Sequence, residues 1–234
     1  MKRLGNLKNA AVLFTGGKDS TYALHKAVES GLSVSVLLTV VPHYKYSMLY
    51  HQPHFSVLVS QAQSLGIPLE SIGLYDELRE LDALKWLVKK AVHDYGIDVL
   101  VTGAIRSDYQ RKAFNKVASE YGVTLYSPHW GEDDYSYMRS LLEYGIEFVV
   151  VSITSMGIPH DILGKKFTLE DLEKLSVLSR KYGFNLSFEG GDAETLVLNA
   201  PLFKYEISVY GKAVWVSDFE GYFVIEDHAL VKKH

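Results

Sequence analysis

The chain has 234 residues, 47% of them hydrophobic and 22% charged, so it can bury a core in one large domain or in one domain with a smaller companion. A net charge of −4 gives no global basic footprint for nucleic acid. The absence of cysteine excludes disulfides, thiolate metal sites and cysteine nucleophiles. No segment approaches the ~20 apolar residues of a membrane span. The apolar run behind Met1-Lys2-Arg3, Ala10 to Phe14, is too short for a signal peptide, so a cytoplasmic protein is expected.

The first element in chain order is an apolar, β-forming run that stops at Thr15-Gly16-Gly17-Lys18-Asp19-Ser20. Two glycines let a backbone turn sharply and approach a ligand closely. The amides that open the following helix are donors suited to a phosphate. Lys18 adds positive charge, and the hydroxyls of Thr15 and Ser20 add donors. Thr21 to Ser30 reads as a helix with Tyr22, Ala23, Ala27 and Val28 on one face, closed by Gly31. Ser33 to Val41 reads as a buried strand. A polar, aromatic loop follows from Pro42 to Pro53, then a helix to Leu65. Leu69 to Leu74 is a third strand, Glu77 to Tyr95 a long amphipathic helix, and Asp98 to Thr102 a fourth strand running into Gly103-Ala104. Ser107 to Tyr121 is helical and Val123 to Tyr126 a short strand. This alternation predicts an α/β fold with a doubly wound parallel sheet. Ligands bind such sheets beyond the C-terminal strand ends. The loop at Thr15–Ser20, the segment at Thr39 and Val40, and Gly103 can therefore line one crevice.

The character changes at Pro128-His129-Trp130-Gly131. Asp133 to Tyr144 and Thr168 to Tyr182 read as helices, the second with Thr168 as its N-cap, and Phe148 to Ile153 as a strand. From Tyr205 the chain reads as short strands, with turns at Gly211-Lys212 and Glu220-Gly221 and a solvated tail at Lys232-Lys233. A boundary falls near residues 128–132, giving domains 1–130 and 131–234, the second a smaller α+β unit. His51 and His54 lack a third ligand at fitting spacing and read as polar loop residues near the nucleotide. Most of the sixteen tyrosines read as packing residues with wet hydroxyls.

The phosphate-binding loop is neither a Walker A loop, because Val12 and Asp19 occupy the diagnostic positions, nor a dinucleotide fingerprint. It resembles the PP-loop of the ATP pyrophosphatases, with Thr15 in place of serine. A second segment, Glu189-Gly190-Gly191-Asp192-Ala193-Glu194-Thr195, sets paired glycines among three carboxylates. Carboxylates can ligate Mg²⁺, take a proton or orient ammonium. These two segments, with Gly103-Ala104-Ile105, Ser107 to Arg111, Pro128 to Gly131 and Pro201-Leu202-Phe203, resemble the diphthine–ammonia ligase family in its archaeal-type, single-function form. Asn199 stands where that family often has Asp, so no catalytic role is assigned to it. His129 departs from the usual Pro-Leu-Trp, which leaves its role open.

The resemblance implies a Rossmann-like fold of the adenine nucleotide α-hydrolase type. It also implies ATP-dependent amidation of diphthine on elongation factor 2 with ammonia, through an acyl-adenylate, with release of AMP and pyrophosphate. ATP and Mg²⁺ are the implied cofactors, with Asp19 a candidate metal ligand. Lys18, Asp19, Glu189 and Glu194 are the candidate catalytic residues. Thr15 to Ser20, Thr39, Val40 and Gly103 would hold the nucleotide. Tyr109, Gln110, Arg111, Gly190, Gly191 and Thr195 would hold the substrate. No stable nucleic acid or membrane partner is expected, and a homodimer is one assembly the reading allows. Two rivals stand beside it. A PP-loop enzyme acting on tRNA is disfavoured by the acidic balance and, for thiolation, by the missing cysteine. A non-catalytic ATP-binding protein would bind ATP without turning it over.

Overall fold

The computed structural model describes residues 7–44, 54–76 and 79–233. Five strands, β1 (Asn9–Leu13), β2 (Ser33–Pro42), β3 (Leu69–Leu74), β4 (Val99–Val101) and β5 (Thr124–Tyr126), form a parallel sheet in the order β3-β2-β1-β4-β5. The order reverses between β1 and β4, which is where a doubly wound sheet opens its crevice. Helices α1 (Lys18–Glu29), α2 (Phe55–Leu65), α3 (Glu80–Tyr95) and α4 (Asp108–Glu120) connect these strands. Side chains alternate along β1: Ala10 and Val12 enter one core, and Ala11 enters the other, formed with α3 and α4. Burial on both faces explains the unbroken apolar run.

The second half adds α5 (Asp134–Glu143), β6 (Glu147–Ile153), α6 (Leu169–Tyr182), β7 (Ala193–Asn199), β8 (Tyr205–Trp215) and β9 (Gly221–Lys232). The four strands make a separate antiparallel sheet ordered β7-β6-β9-β8. Thr168 caps α6 in a reciprocal capping box with Asp171. Phe148, Val150 and Leu196 share one core with Val12, Phe14 and Leu37, so α1 is packed between the two sheets.

Several expectations need correction. Gly211-Lys212 is no turn: β8 runs through it as one strand, with a register shift at Tyr210/Gly211. A Cβ on Gly211 would meet the Val224 carbonyl oxygen at 2.2 Å, so the glycine permits a bulge against its partner strand. Lys232 closes β9, and Lys233 donates to the Ala200 carbonyl at 2.7 Å, so this end is tied down. Val28 is exposed, off the buried face of α1. Thr39 and Val40 lie within β2, near its C-terminal end. His51 and Glu77 fall outside the described residues.

Candidate active site

The loop after β1 turns at Gly16, whose φ of +76° is the left-handed region that a side chain disfavours. Gly17 occupies the N-cap of α1 and supplies no capping side chain, unlike Ser107, Asp133 and Thr168 on α4, α5 and α6. The positive end of α1 therefore faces the crevice without a local acceptor, as suits an anion. Thr15 and Ser20 brace the loop internally. Ser20 Oγ accepts the Thr15 amide at 3.2 Å and donates to the Gly17 carbonyl at 3.2 Å.

Tertiary contacts hold the loop from three directions. Gln61, fully buried on α2, donates through Nε2 to the carbonyls of Gly16 at 3.0 Å and Val197 at 2.7 Å. The Val197 amide donates to the same Gly16 carbonyl, at 2.9 Å. Thr195 Oγ1 accepts the Lys18 amide at 3.1 Å, which joins the second glycine-rich segment to the first. On the third side, Gly103 touches the first turn of α1. A Cβ there would stand 2.6 Å from the Asp19 carbonyl carbon and 2.7 Å from the Ser20 nitrogen.

Lys18 and Asp19 form a pair at 2.8 Å, with the lysine 2% exposed. The other Asp19 oxygen accepts the hydroxyl of Tyr137 at 2.7 Å. Tyr137 is fully buried, and burial beside Asp19 holds its phenol well above the ordinary value, as a permanent donor. Lys18 Nζ also lies 5.5 Å from the centroid of the Phe188 ring. Phe188, at φ +63°, is the sole non-glycine residue in the left-handed region among the described residues. Strain of this kind persists where surrounding structure enforces it.

Phe188 divides the crevice, sharing its wall with Thr15 and Asp19. On one side, at the β1/β4 switch point, is an apolar cleft lined by Phe14, Leu38, Val40 and Phe114, with Thr39, Gly103, Gln110 and Glu189. The Thr39 hydroxyl is buried there and lacks a partner among the described residues. On the other side a cavity of about 330 Å³ reaches from Gly17 and Lys18 to the second sheet, past Thr195, Glu194 and Tyr222. Its size is that of a small-molecule site.

The sequence-derived candidates thus separate. Glu189 lies on the switch-point side, where its Oε1 accepts the Ile105 amide at 3.1 Å, whereas Glu194 lies on the second-sheet side. Asp192 accepts from the Asn185 amide and the Ser155 hydroxyl and serves its own loop. Of Tyr109, Gln110 and Arg111, only Gln110 lines the crevice. Tyr109 is 55% exposed, and Arg111 packs on Trp130 at 4.3 Å and pairs with Asp108 at 3.2 Å. Gly190 and Gly191 form an open turn that lines neither side. His129 stacks on Tyr22 at 4.3 Å and bonds Glu132 at 2.9 Å through Nδ1, buttressing α1. His25 Nδ1 contacts the Thr21 carbonyl at 2.7 Å and Nε2 the Leu202 amide at 3.0 Å, partners that select the neutral Nδ1–H tautomer. Sequence reading missed Gln61, Tyr137 and Phe188. A polar residue on the apolar stripe Val57, Leu58, Ala62, Leu65 is the signal that could have marked Gln61; nothing distinguished Tyr137 among sixteen tyrosines.

The two halves of the chain match two family models, the diphthamide synthase N-terminal domain over residues 8–125 and the diphthamide synthase C-terminal domain over 133–231. A rat protein named diphthine–ammonia ligase is 31% identical over 225 residues, covering 85% of this chain and 82% of that one. The human protein of the same name is 29% identical over 238 residues, covering 91% and 86%. A solved structure, a predicted subunit of tRNA methyltransferase from Methanocaldococcus jannaschii, aligns at a TM-score of 0.40 and 16% identity, over 83% of this chain and 100% of that one. With both family models in chain order and close relatives matched over most of their length, the chain belongs to the diphthamide synthase family.

Proposed function

We propose that the protein is an ATP-dependent ligase that amidates diphthine on elongation factor 2 with ammonia. The observation that carries this reading is the partition of one crevice by a phosphate-binding loop: an apolar cleft at the switch point on one side and a polar cavity under the second sheet on the other. Residues 1–130 then act as the ATP-binding domain and 131–234 as the substrate-binding domain.

Adenosine occupies the switch-point cleft, where Thr39 Oγ1 offers its unused hydrogen bond. The triphosphate crosses the N-terminus of α1. The diphthine carboxylate, entering from the second-sheet side, attacks the α-phosphorus, and the bond to the bridging oxygen of pyrophosphate breaks. Lys18, exchanging Asp19 for the leaving group, and the Gly16 and Gly17 amides stabilise the charge that develops there, while the Lys18 amide stays engaged with Thr195. Ammonia then attacks the acyl carbon of the adenylate, forming the amide and releasing AMP. In this reading Glu194, which lines that same side, takes the proton that ammonium gives up, while Glu189 accepts the Ile105 amide beyond the end of β4.

Asp19 is paired with Lys18, and both its oxygens are engaged. Among the described residues no three His, Asp or Glu side chains form a metal cage. Mg²⁺ fits here only as a phosphate-borne ion with Asp19 as its protein ligand, a common mode for this cation, and it would supply charge neutralisation on the triphosphate. No helix among the described residues is long and apolar enough to cross a membrane. A cytoplasmic enzyme without stable nucleic-acid partners, free to form a homodimer, completes the proposal.

The test is the nucleotide product. With ATP, Mg²⁺, ammonium and diphthine-bearing elongation factor 2, AMP and pyrophosphate are expected only when the modified factor is present. ADP, or AMP formed regardless of the factor, would retire the assignment.

A further inference from the structure

A separate groove lies between α4 and β5, outside the crevice. Its volume is about 400 Å³, and Arg111, Lys112, Asn115, Leu125, Ser127 and Trp130 line it. Ser127 and Trp130 follow the C-terminal end of β5, the same end of the sheet at which the phosphate loop follows β1 and Gly103 follows β4. Gln110, the neighbour of Arg111 on α4, lines the switch-point cleft. A chain segment seated in the groove therefore lies alongside the crevice without occupying it.

Strand β5 ends the sheet and, among the described residues, pairs only with β4. The Thr124 amide donates to the Asp98 carbonyl at 2.9 Å, and the Tyr126 carbonyl accepts the Thr102 amide at 3.0 Å, so both residues turn their backbone groups inwards. Backbone groups alternate along a strand, so Leu125 between them turns its amide and carbonyl to the open edge. Such an edge is a template for another chain. The formal charges beside it have one sign: Arg111 and Lys112 are cations, and no carboxylate lines the groove. Arg111 is held against the Trp130 ring at 4.3 Å, with one nitrogen on the exposed Asp108 at 3.2 Å. Among the described residues Lys112 has no ion pair, and the Asn115 and Ser127 side chains make no hydrogen bond.

We propose that the groove between α4 and β5 docks an extended, acidic segment of a partner protein, its main chain bonded to Leu125 and its carboxylates to Lys112 and Arg111. A peptide main chain matches the open strand edge and a nucleic acid does not, and the net charge of −4 provides no wider basic surface for one. The partner's identity rests on the ligase reading above: the occupant is a segment of the protein that carries the side chain to be amidated. Docking there raises the local concentration of that side chain at the crevice and takes no part in the chemistry.

The direct test is fluorescence anisotropy of a labelled hexaglutamate peptide on the full chain without nucleotide. Hexaglutamate is expected to bind, and hexaglutamine to bind much more weakly. Hexaglutamate N-methylated at every residue should also bind more weakly, because it lacks the amides that would pair with Leu125. Lys112→Glu, at an exposed position outside the crevice, should weaken hexaglutamate about tenfold, while Lys181→Glu, exposed on α6, should leave it unchanged. In the ligase assay Lys112→Glu should raise the KM for the modified factor about tenfold and leave kcat and the KM for ATP as in the wild type. Absent hexaglutamate binding, equal binding of the N-methylated peptide or of hexathymidylate, the same loss in both lysine variants, or an unchanged KM for the factor would overturn the proposal. Absent hexaglutamate binding alongside factor-dependent AMP release would retire the groove and spare the ligase reading. Hexaglutamate binding that depends on Lys112, with factor-independent AMP release, would keep the groove and retire that occupant.

Discussion

Replacing Gly103 by alanine tests how the end of β4 meets the phosphate loop. The added Cβ would stand 2.6 Å from the Asp19 carbonyl carbon and 2.7 Å from the Ser20 amide nitrogen, whereas ordinary contacts begin near 3.4 Å. Both neighbours are backbone, so no flexible side chain can yield, and the first turn of α1 must retreat by about 0.8 Å. Overpacking of this kind costs about 2 kcal/mol, which for a chain of this size lowers Tm by roughly 4–8 °C. The larger consequence is catalytic. Lys18 and Asp19 ride on that turn, and a displacement approaching 1 Å at reacting groups can cost about 100-fold. We therefore expect kcat/KM for ATP, read as AMP release, to fall by about two orders of magnitude while the chain still folds. Gly122→Ala is the control: at φ +71° with nothing within 4 Å, it imposes backbone strain without a clash, far from the loop. It should cost about 1–2 kcal/mol and leave AMP release unchanged. Wild-type activity in Gly103→Ala, or an equal loss in Gly122→Ala, would refute the steric argument.

Three other outcomes follow from the same geometry. Tyr137→Phe removes a buried donor to Asp19 and should cost about 1.5 kcal/mol by urea unfolding, with the KM for ATP rising more than kcat falls because Asp19 then retains Lys18 more tightly; an unchanged midpoint would count against this. Thr39→Val removes a buried hydroxyl without a partner among the described residues, so stability should hold or rise while the KM for ATP increases up to about tenfold; parallel movement of the two would show that Thr39 serves packing alone. Burial lowers the pKa values of His25 and His129 in the folded chain. The unfolded state then binds more protons between those folded values and the ordinary 6.5, so stability should be full above pH 6.5, decline as pH falls through the folded values and level off below them. Urea midpoints that increase from pH 7 to pH 5 would contradict this.

The parts of this protein legible in its sequence are those whose physics is local. The apolar run, the paired glycines and the helix start at Lys18 lie within ten residues, so the phosphate loop can be read where it stands. Helix and strand alternation, the Thr168 cap and the crevice position follow from periodicity and turn chemistry. Choices made by distant segments were not legible. Successive residues on α4 point about 100° apart, so three neighbours could be nominated, yet only the docking of that helix selects Gln110 and turns Tyr109 and Arg111 away. Glu189 and Glu194 are equivalent as carboxylates in one segment, and Phe188 between the two sides separates them in space. Gln61 and Tyr137 reach the loop across 45 and 118 residues of sequence. Such contacts form only once two sheets enclose α1 in a common core, because a buried polar group must find its partner wherever the fold brings one.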